Sequence, residues 1–236
     1  MIRHGQLALA LKNNLLWLAM FVPIPTAIGF ILAYALRNKG RLNLWFRGLF
    51  YLPMIISNTV LSIMWMAVYE PTHGLLAEVL QFLHLPVPVR SFLTRPETAI
   101  IAISIAGIWH WIGFPLVVYL AAIQDVPKDI LEAAELDGAS KFQRVWRVIV
   151  PLVSHATTVV VALGTILSLK IFDLVYLMTR GYYKNDVVGT MIWRYAYDEM
   201  RLGRASAVAV VEFLVIATIL VPYLLYRRKR GELMEM

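Results

Sequence analysis

Long apolar runs separated by short charged ones set the rhythm of this 236-residue chain. A helix that crosses a bilayer needs about 20 consecutive, mostly apolar residues. Five stretches reach that length: 13–36, 48–69, 98–124, 148–179 and 205–226. The first is uncharged throughout and contains Pro23 and Pro25; the fourth carries Lys170 and Asp173, and the fifth Glu212. Proline disrupts a soluble helix by removing a donor, but membrane helices tolerate it where neighbours satisfy the freed carbonyls. The pattern predicts an all-α membrane protein: a bundle of five transmembrane helices in a single domain over 1–236. The polar exception is 125–147, between the third and fourth spans.

Composition agrees. Apolar residues make up 60% of the chain and charged residues 16%, against about 25% charged in ordinary soluble domains; mean hydropathy is +0.68. A net charge of +7 would suit nucleic acid, yet the basic residues stand beside apolar spans, where membrane orientation accounts for them. Membrane lipid is therefore an expected partner and nucleic acid is not. The absence of cysteine excludes disulfides, thiolate nucleophiles and cysteine metal sites. The histidines at 4, 73, 84, 110 and 155 show no metal-ligand spacing, so no metal site is expected. No G-x-x-x-x-G-K-[ST] run occurs, so no P-loop binds a nucleotide. No nucleophile, base or metal cluster converges in the spans, and the chain reads as non-catalytic and without a cofactor of its own.

Lysine and arginine in the connections set orientation. Residues 37–48 hold Arg37, Lys39, Arg41 and Arg47 with no acid, and the last span runs directly into Arg227-Arg228-Lys229-Arg230. Both are expected in the cytoplasm, as is 125–147 with Lys128, Lys141, Arg144 and Arg147. Segment 70–97, with Arg90 and Arg95 alone, falls outside. Alternation also places 180–204 outside despite its five basic residues, and this segment is expected to fold back into the protein. Five spans with a cytoplasmic C-terminus put the N-terminus outside, with no sign of a cleavable leader.

In 125–147, Asp125-Val126-Pro127 reads as a turn, with Pro127 suited to the first turn of a helix. Asp129 and Glu132 favour that start. Ile130, Leu131, Ala134 and marginally Ala133 give it a small apolar face. Gly138 is a natural left-handed stop. Phe142, Val145, Trp146 and Ile149 then resume helical spacing toward Pro151. Such a segment is either a solvated loop or a short surface helix that docks a soluble partner.

Glu132-Ala133-Ala134, three residues, Gly138, nine residues and Val148-Ile149-Val150-Pro151 resemble the EAA motif of ABC importer permeases. Val148 and Val150 stand where that motif has Ile and Leu. The fuller run Glu-Ala-Ala-x-x-Asp-Gly-Ala resembles permeases for sugars and related polyols, of the maltose and glycerol-3-phosphate type. Further matches cover nearly the whole chain: Asn14-Leu15-Leu16-Trp17, Arg47 to Pro53, Trp109 to Phe114, and Phe172-Asp173 through Tyr176 to Thr179. The resemblance implies a cytoplasmic coupling helix seated in a groove of an ATPase, with Glu132, Ala133, Ala134, Asp137, Gly138, Ala139 and Pro151 as the coupling residues. It also implies a second homologous permease, a dimer of cytoplasmic ATPase subunits, an extracytoplasmic substrate-binding protein, and residence in a bacterial or archaeal inner membrane. Arg180 to Asp186 stands where many sugar permeases carry Gly-Gly-Gly-Pro. That variant is similar to the α-glucoside and glucosylglycerol branch. The family core has six or more spans, so a first helix is expected to be missing here, through a misassigned start or a truncated gene.

Charge at membrane depth is costly, about 2.5–3.5 kcal/mol on insertion scales, so polar residues there face the bundle or a wet path. Asn58, Trp65, Trp109, Trp111, Lys170 and Asp173 are the candidate lining of a solute pathway. Lys170 and Asp173, three apart, are expected to share a helix face and pair. Trp109, His110 and Trp111 could offer a sugar both stacking and hydrogen bonds. Two other readings stay open: an ion-gradient-driven carrier using Asp173 or Glu212, and a truncated, non-functional permease.

Overall fold

The computed structural model describes residues 4–38, 40–87 and 90–234, with the side chains of residue 4 and of 230–234 left aside. Of the basic residues read above, Lys39 and the side chain of Arg230 lie outside the described ones. Helices α1 (His4–Phe21) and α2 (Pro23–Ala35) join into one rod, Gly5–Ala35. At 1.5 Å per residue it is about 46 Å long. Pro23 and Pro25 cause no break because they sit in the first turn of α2, where no intrahelical N–H is needed. Val22 N–H still reaches Leu18 O, and Thr26 Oγ1 donates to Val22 O.

The stretch 48–69 is divided. Helix α3 (Arg41–Tyr51) passes through a 3-10 turn at Leu52–Ile55 containing Pro53, and α4 (Asn58–Val68) departs at 101°. The elbow holds because Ile56 is extended, its carbonyl bonded to His110 Nε2 at 3.0 Å, and Ser57 caps α4 through Val60 N–H. Helix α5 (Leu75–Phe82) lies in the next connection. Helices α6 (Ala99–Trp111) and α7 (Gly113–Gln124) form a second rod of 26 residues. Gly113 lets α3 approach it closely: a Cβ there would lie 2.9 Å from Phe50 O.

Next come α8 (Lys128–Leu136), α9 (Lys141–Arg144), a π-helical turn at Val145–Ile149, α10 (Val150–Leu152) and α11 (Ser154–Leu169), with a bend of 67° before α11. The stretch 148–179 is thus not one helix. Lys170 caps α11, Phe172 leaves helical geometry, and α12 (Asp173–Thr179) begins anew and packs on α4. Helix α13 (Val188–Trp193), a π-helical turn at Arg194–Asp198 and α14 (Leu202–Met234) complete the chain. Among the described residues there is no strand.

Three apolar clusters hold these helices. One packs Trp17, Phe21, Leu61, Trp111, Leu174 and Val175. A second gathers Leu36, Tyr119, Ile123, Ile149 and Val153. It brings the ends of α2 and α7 and the bend before α11 to one end of the bundle, the same end as the basic segments 37–48 and 125–147. Arg227 of α14 joins them, donating to Thr158 Oγ1 at 2.7 Å and to Ser154 O. The third cluster contains Val188, Met191, Tyr195, Ala205 and Val208; the middle of 180–204 folds back into the protein, while 182–184 and 197–203 stay exposed.

Candidate functional site

Two regions bring the singled-out residues together. The first is the polar segment after α7. Glu132, Ala133 and Ala134 lie on α8, Asp137 caps it, and Gly138 follows with φ +78°. Gly138 N–H bonds to Glu135 O and Ala139 N–H to Ala134 O, both at 3.0 Å. This pair of bonds is the Schellman arrangement that ends a helix and satisfies its last carbonyls. One residue later Ser140 starts α9 with a capping box: Gln143 N–H bonds to Ser140 Oγ, and Ser140 N–H to Gln143 Oε1. Arg144 then reaches back across the glycine to Glu135 at 2.6 Å. Three local devices therefore fix the angle between α8 and α9.

Helix α8 buries no residue completely. Leu131 rests against the second cluster, while Glu132, Ala133, Asp137 and Gly138 are exposed and Ala134 and Ala139 half-buried. Leu136 is 89% exposed. Pro151 sits in the short α10 just before the bend. The apolar row expected along Phe142, Val145, Trp146 and Ile149 is split. Ile149 enters the core, but Phe142 and Trp146 lie against each other at the surface, ring centroids 6.0 Å apart and planes tilted by 52°. The π-helical turn widens the helix by one residue and rotates the row.

The second region is a cavity of about 340 Å³ inside the bundle. Asn58, Trp111, Lys170 and Asp173 line it, together with Trp17 and Phe172. Trp65 and Trp109 do not; they meet edge to face at 5.9 Å beside Tyr69. The expected Lys170–Asp173 pair does not form. The helix breaks between the two residues, and Asp173 instead accepts from Asn58 Nδ2 at 2.8 Å. On α14, Glu212 Oε1 is buried without a hydrogen-bond partner among the described residues. Trp17 Nε1 is likewise buried and unpartnered.

Sequence reasoning gave Asn13 no role, and Asn14 only a place in a family resemblance. Asn14 Nδ2 donates to Leu169 O and its Oδ1 accepts from Val188 N–H, both at 2.9 Å. Asn13 Nδ2 donates to Lys184 O at 2.9 Å and to Asp186 O at 2.8 Å. The two amides satisfy backbone groups freed by the breaks around α12. An Asn-Asn pair in an otherwise uncharged span was the available signal.

A model for the family of binding-protein-dependent transport system inner membrane components matches residues 26–230. The osmoprotective compounds uptake permease protein GgtC of Synechocystis is 33% identical over 218 residues, 90% of this chain and 77% of that protein. The xylose/arabinose import permease protein XacH of Haloferax volcanii is 31% identical over 227 residues, 95% of this chain and 71% of its own length. The alpha-glucoside transport system permease protein AglF of Rhizobium meliloti is 28% identical over 232 residues, 94% of this chain and 67% of its length. Among solved structures, a bacterial ABC transporter that imports the acidic polysaccharide alginate superposes with a TM-score of 0.86 at 24% identity. The match covers 95% of this chain and 79% of that one, and at that identity it speaks for the fold.

Proposed function

Since this chain belongs to the family of binding-protein-dependent transport system inner membrane components, we propose that it is the membrane-spanning permease of an ATP-driven sugar importer. The solute is a glycoside: an α-glucoside, an oligosaccharide or a related polyol glycoside. A separate ATPase dimer supplies the energy, a second homologous permease completes the pathway, and a binding protein delivers the solute outside. The chain itself is a transport subunit of the inner membrane, and its basic tail lies in the cytoplasm.

The observation that carries this reading is α8. It is exposed and apolar-tipped, and it is held rigid relative to α9 by the Schellman bonds, the capping box and the Glu135–Arg144 pair. A rigid, uncovered helix is suited to transmit a push, where a loose loop would absorb it. Its charges fix the register in a groove and Leu136 supplies an anchor. The segment continues through Pro151 into the bend before α11, whose far end, Lys170, lines the internal cavity. Movement of α8 therefore has a path to that wall. Closure of the ATPases would bias two arrangements of the bundle, inward- and outward-facing. Within the cavity, the Asn58 amide and the Asp173 carboxylate suit sugar hydroxyls, and Phe172 supplies apolar surface beside them.

The cysteine-free sequence makes the test direct. Ala133→Cys is paired with a single Cys in the groove of the candidate ATPase, and membranes containing both are oxidised. A cross-linked band that changes with ATP is the expected result. No band, with both proteins present in the membrane, would overturn the coupling role of α8.

A further inference from the structure

We propose that the chain carries a second saccharide site, outside the central cavity, at the far end of α12. The inference rests on the sugar-import reading above and adds a place where the sugar is held before it reaches the bundle interior. The site is a pocket of about 440 Å³ between the 70–97 connection and the loop that follows α12. Glu70 and Thr94 stand on one side of it, and Leu177, Thr179, Arg180 and Tyr183 on the other.

The loop is unusual in its backbone. Arg180, Tyr183 and Lys184 have φ of +54°, +61° and +60°, and Gly181 has +76°. Left-handed geometry is natural for glycine and uncommon for other residues. Strained non-glycine positions persist only where surrounding structure holds them, and they cluster at ligand clamps. Here the bracing is visible. Asn13 binds the carbonyls of Lys184 and Asp186, the buried Asn185 amide lies 2.7 Å from Thr179 Oγ1, and Asp186 is paired with Arg194. With the backbone fixed from beneath, the Arg180 and Tyr183 side chains line the pocket and make no hydrogen bond or ion pair among the described residues.

The chemistry of the walls selects the guest. The Glu70 carboxylate is tied into its own turn by Thr72 and by His73 N–H, and it makes no ion pair with Arg180. A sugar acid would meet Glu70 and an amino sugar would meet Arg180. A neutral glycosyl unit can hydrogen-bond to both through its hydroxyls, while the Tyr183 ring and Leu177 take its apolar face. Helix α12 joins this pocket to the central cavity, with Thr179 here and Asp173 there. Its seven residues span about 10 Å. A sugar arriving from outside would meet Arg180 and Tyr183 first.

The test uses right-side-out vesicles holding the full transporter, without binding protein, and a membrane-impermeant methanethiosulfonate. Single cysteines are placed at Leu177 and, on the opposite wall, at Thr94; two positions guard against one variant failing to fold. With maltose or trehalose at about four times its Kd, modification is expected to slow about fivefold at both. Tyr182→Cys, on the exposed side of the loop, is expected to keep its rate. The protection should vanish in Arg180→Ala and Tyr183→Ala backgrounds. Unchanged rates at Leu177 and Thr94, with protection at an Ile166→Cys in the central cavity, would overturn the second site and leave the import reading standing. Unchanged rates at all three positions would overturn the second site and, with it, the α-glucoside form of the import reading. Protection that survives both alanine substitutions would overturn the roles given to Arg180 and Tyr183.

Discussion

The segment around α8 and the segment from Lys170 to Arg204 both interrupt the spans, and they are held in opposite ways. The first is stabilised by its own neighbours in sequence: Gly138, the Ser140–Gln143 box and the Glu135–Arg144 pair. It stays exposed. The second is held from a distance, by Asn13 and Asn14 from the other end of the chain, and the residues at its anchor, Asn185, Val187 and Val188, are buried. A local device can be changed without disturbing the bundle. A long-range one is part of the bundle.

Four substitutions or conditions probe that contrast. Asn14→Leu should have the largest effect. It leaves Leu169 C=O and Val188 N–H buried and unpaired, at about 1–3 kcal/mol each. The thermal midpoint of the detergent-solubilised chain should fall sharply, with Asn14→Asp intermediate because it keeps the acceptor; an unchanged midpoint would break the comparison. Gly138→Ala forces a Cβ into left-handed geometry, at about 1–2 kcal/mol. Faster hydrogen exchange is expected at the end of α8, with the global midpoint unmoved. Arg144→Ala removes a pair whose glutamate is mostly exposed. It should cost about 0.5 kcal/mol or less, seen as faster exchange at Ser140 and Gln143 that salt reproduces in the parent chain.

The smallest effect sharpens the contrast, because it concerns a locally held turn outside the spans. The backbone N–H of His73, followed by the Thr72 hydroxyl, lowers the pKa of Glu70 below its ordinary value of 4.5. A depressed carboxylate contributes stability that is present above that ordinary value and is lost as pH falls through the folded value. Amide exchange at Thr72 and His73 should therefore rise on acidification below about pH 4.5, while exchange in α6 stays constant. A rise that begins near neutral pH would contradict this.

The same distinction explains what could be read from sequence. Gly138, Pro127 and the EAA spacing act within a few residues, so the end of α8 was legible. The elbow at Ile56 and the break at Phe172 depend on partners far along the chain, His110 and Asn14, and apolar periodicity passes over them. Two of the five predicted spans therefore contain breaks: 48–69 at the elbow, and 148–179 at Phe172 in addition to its bend at Val153. Asn58, Trp111, Lys170 and Asp173 were selected for polarity or aromatic character at depth, and the fold brings them to one cavity. Trp65 and Trp109 satisfied the same criterion and pack on each other instead, because composition does not say which way a ring points.

Helix α14 is fastened at its two ends, by Ala205 and Val208 in the third cluster and by Arg227 at the base of α11. From 209 to 229 no residue is fully buried by the chain itself. Such a helix is a strut backed on one side by α11; its other side, where Val210, Phe213, Leu214 and Val221 are exposed, takes its packing from whatever surrounds the protein. Its order in a preparation will therefore depend on the amphiphile chosen. Short-chain detergents should loosen this strut before they disturb the α6–α7 rod, which the protein wraps for itself.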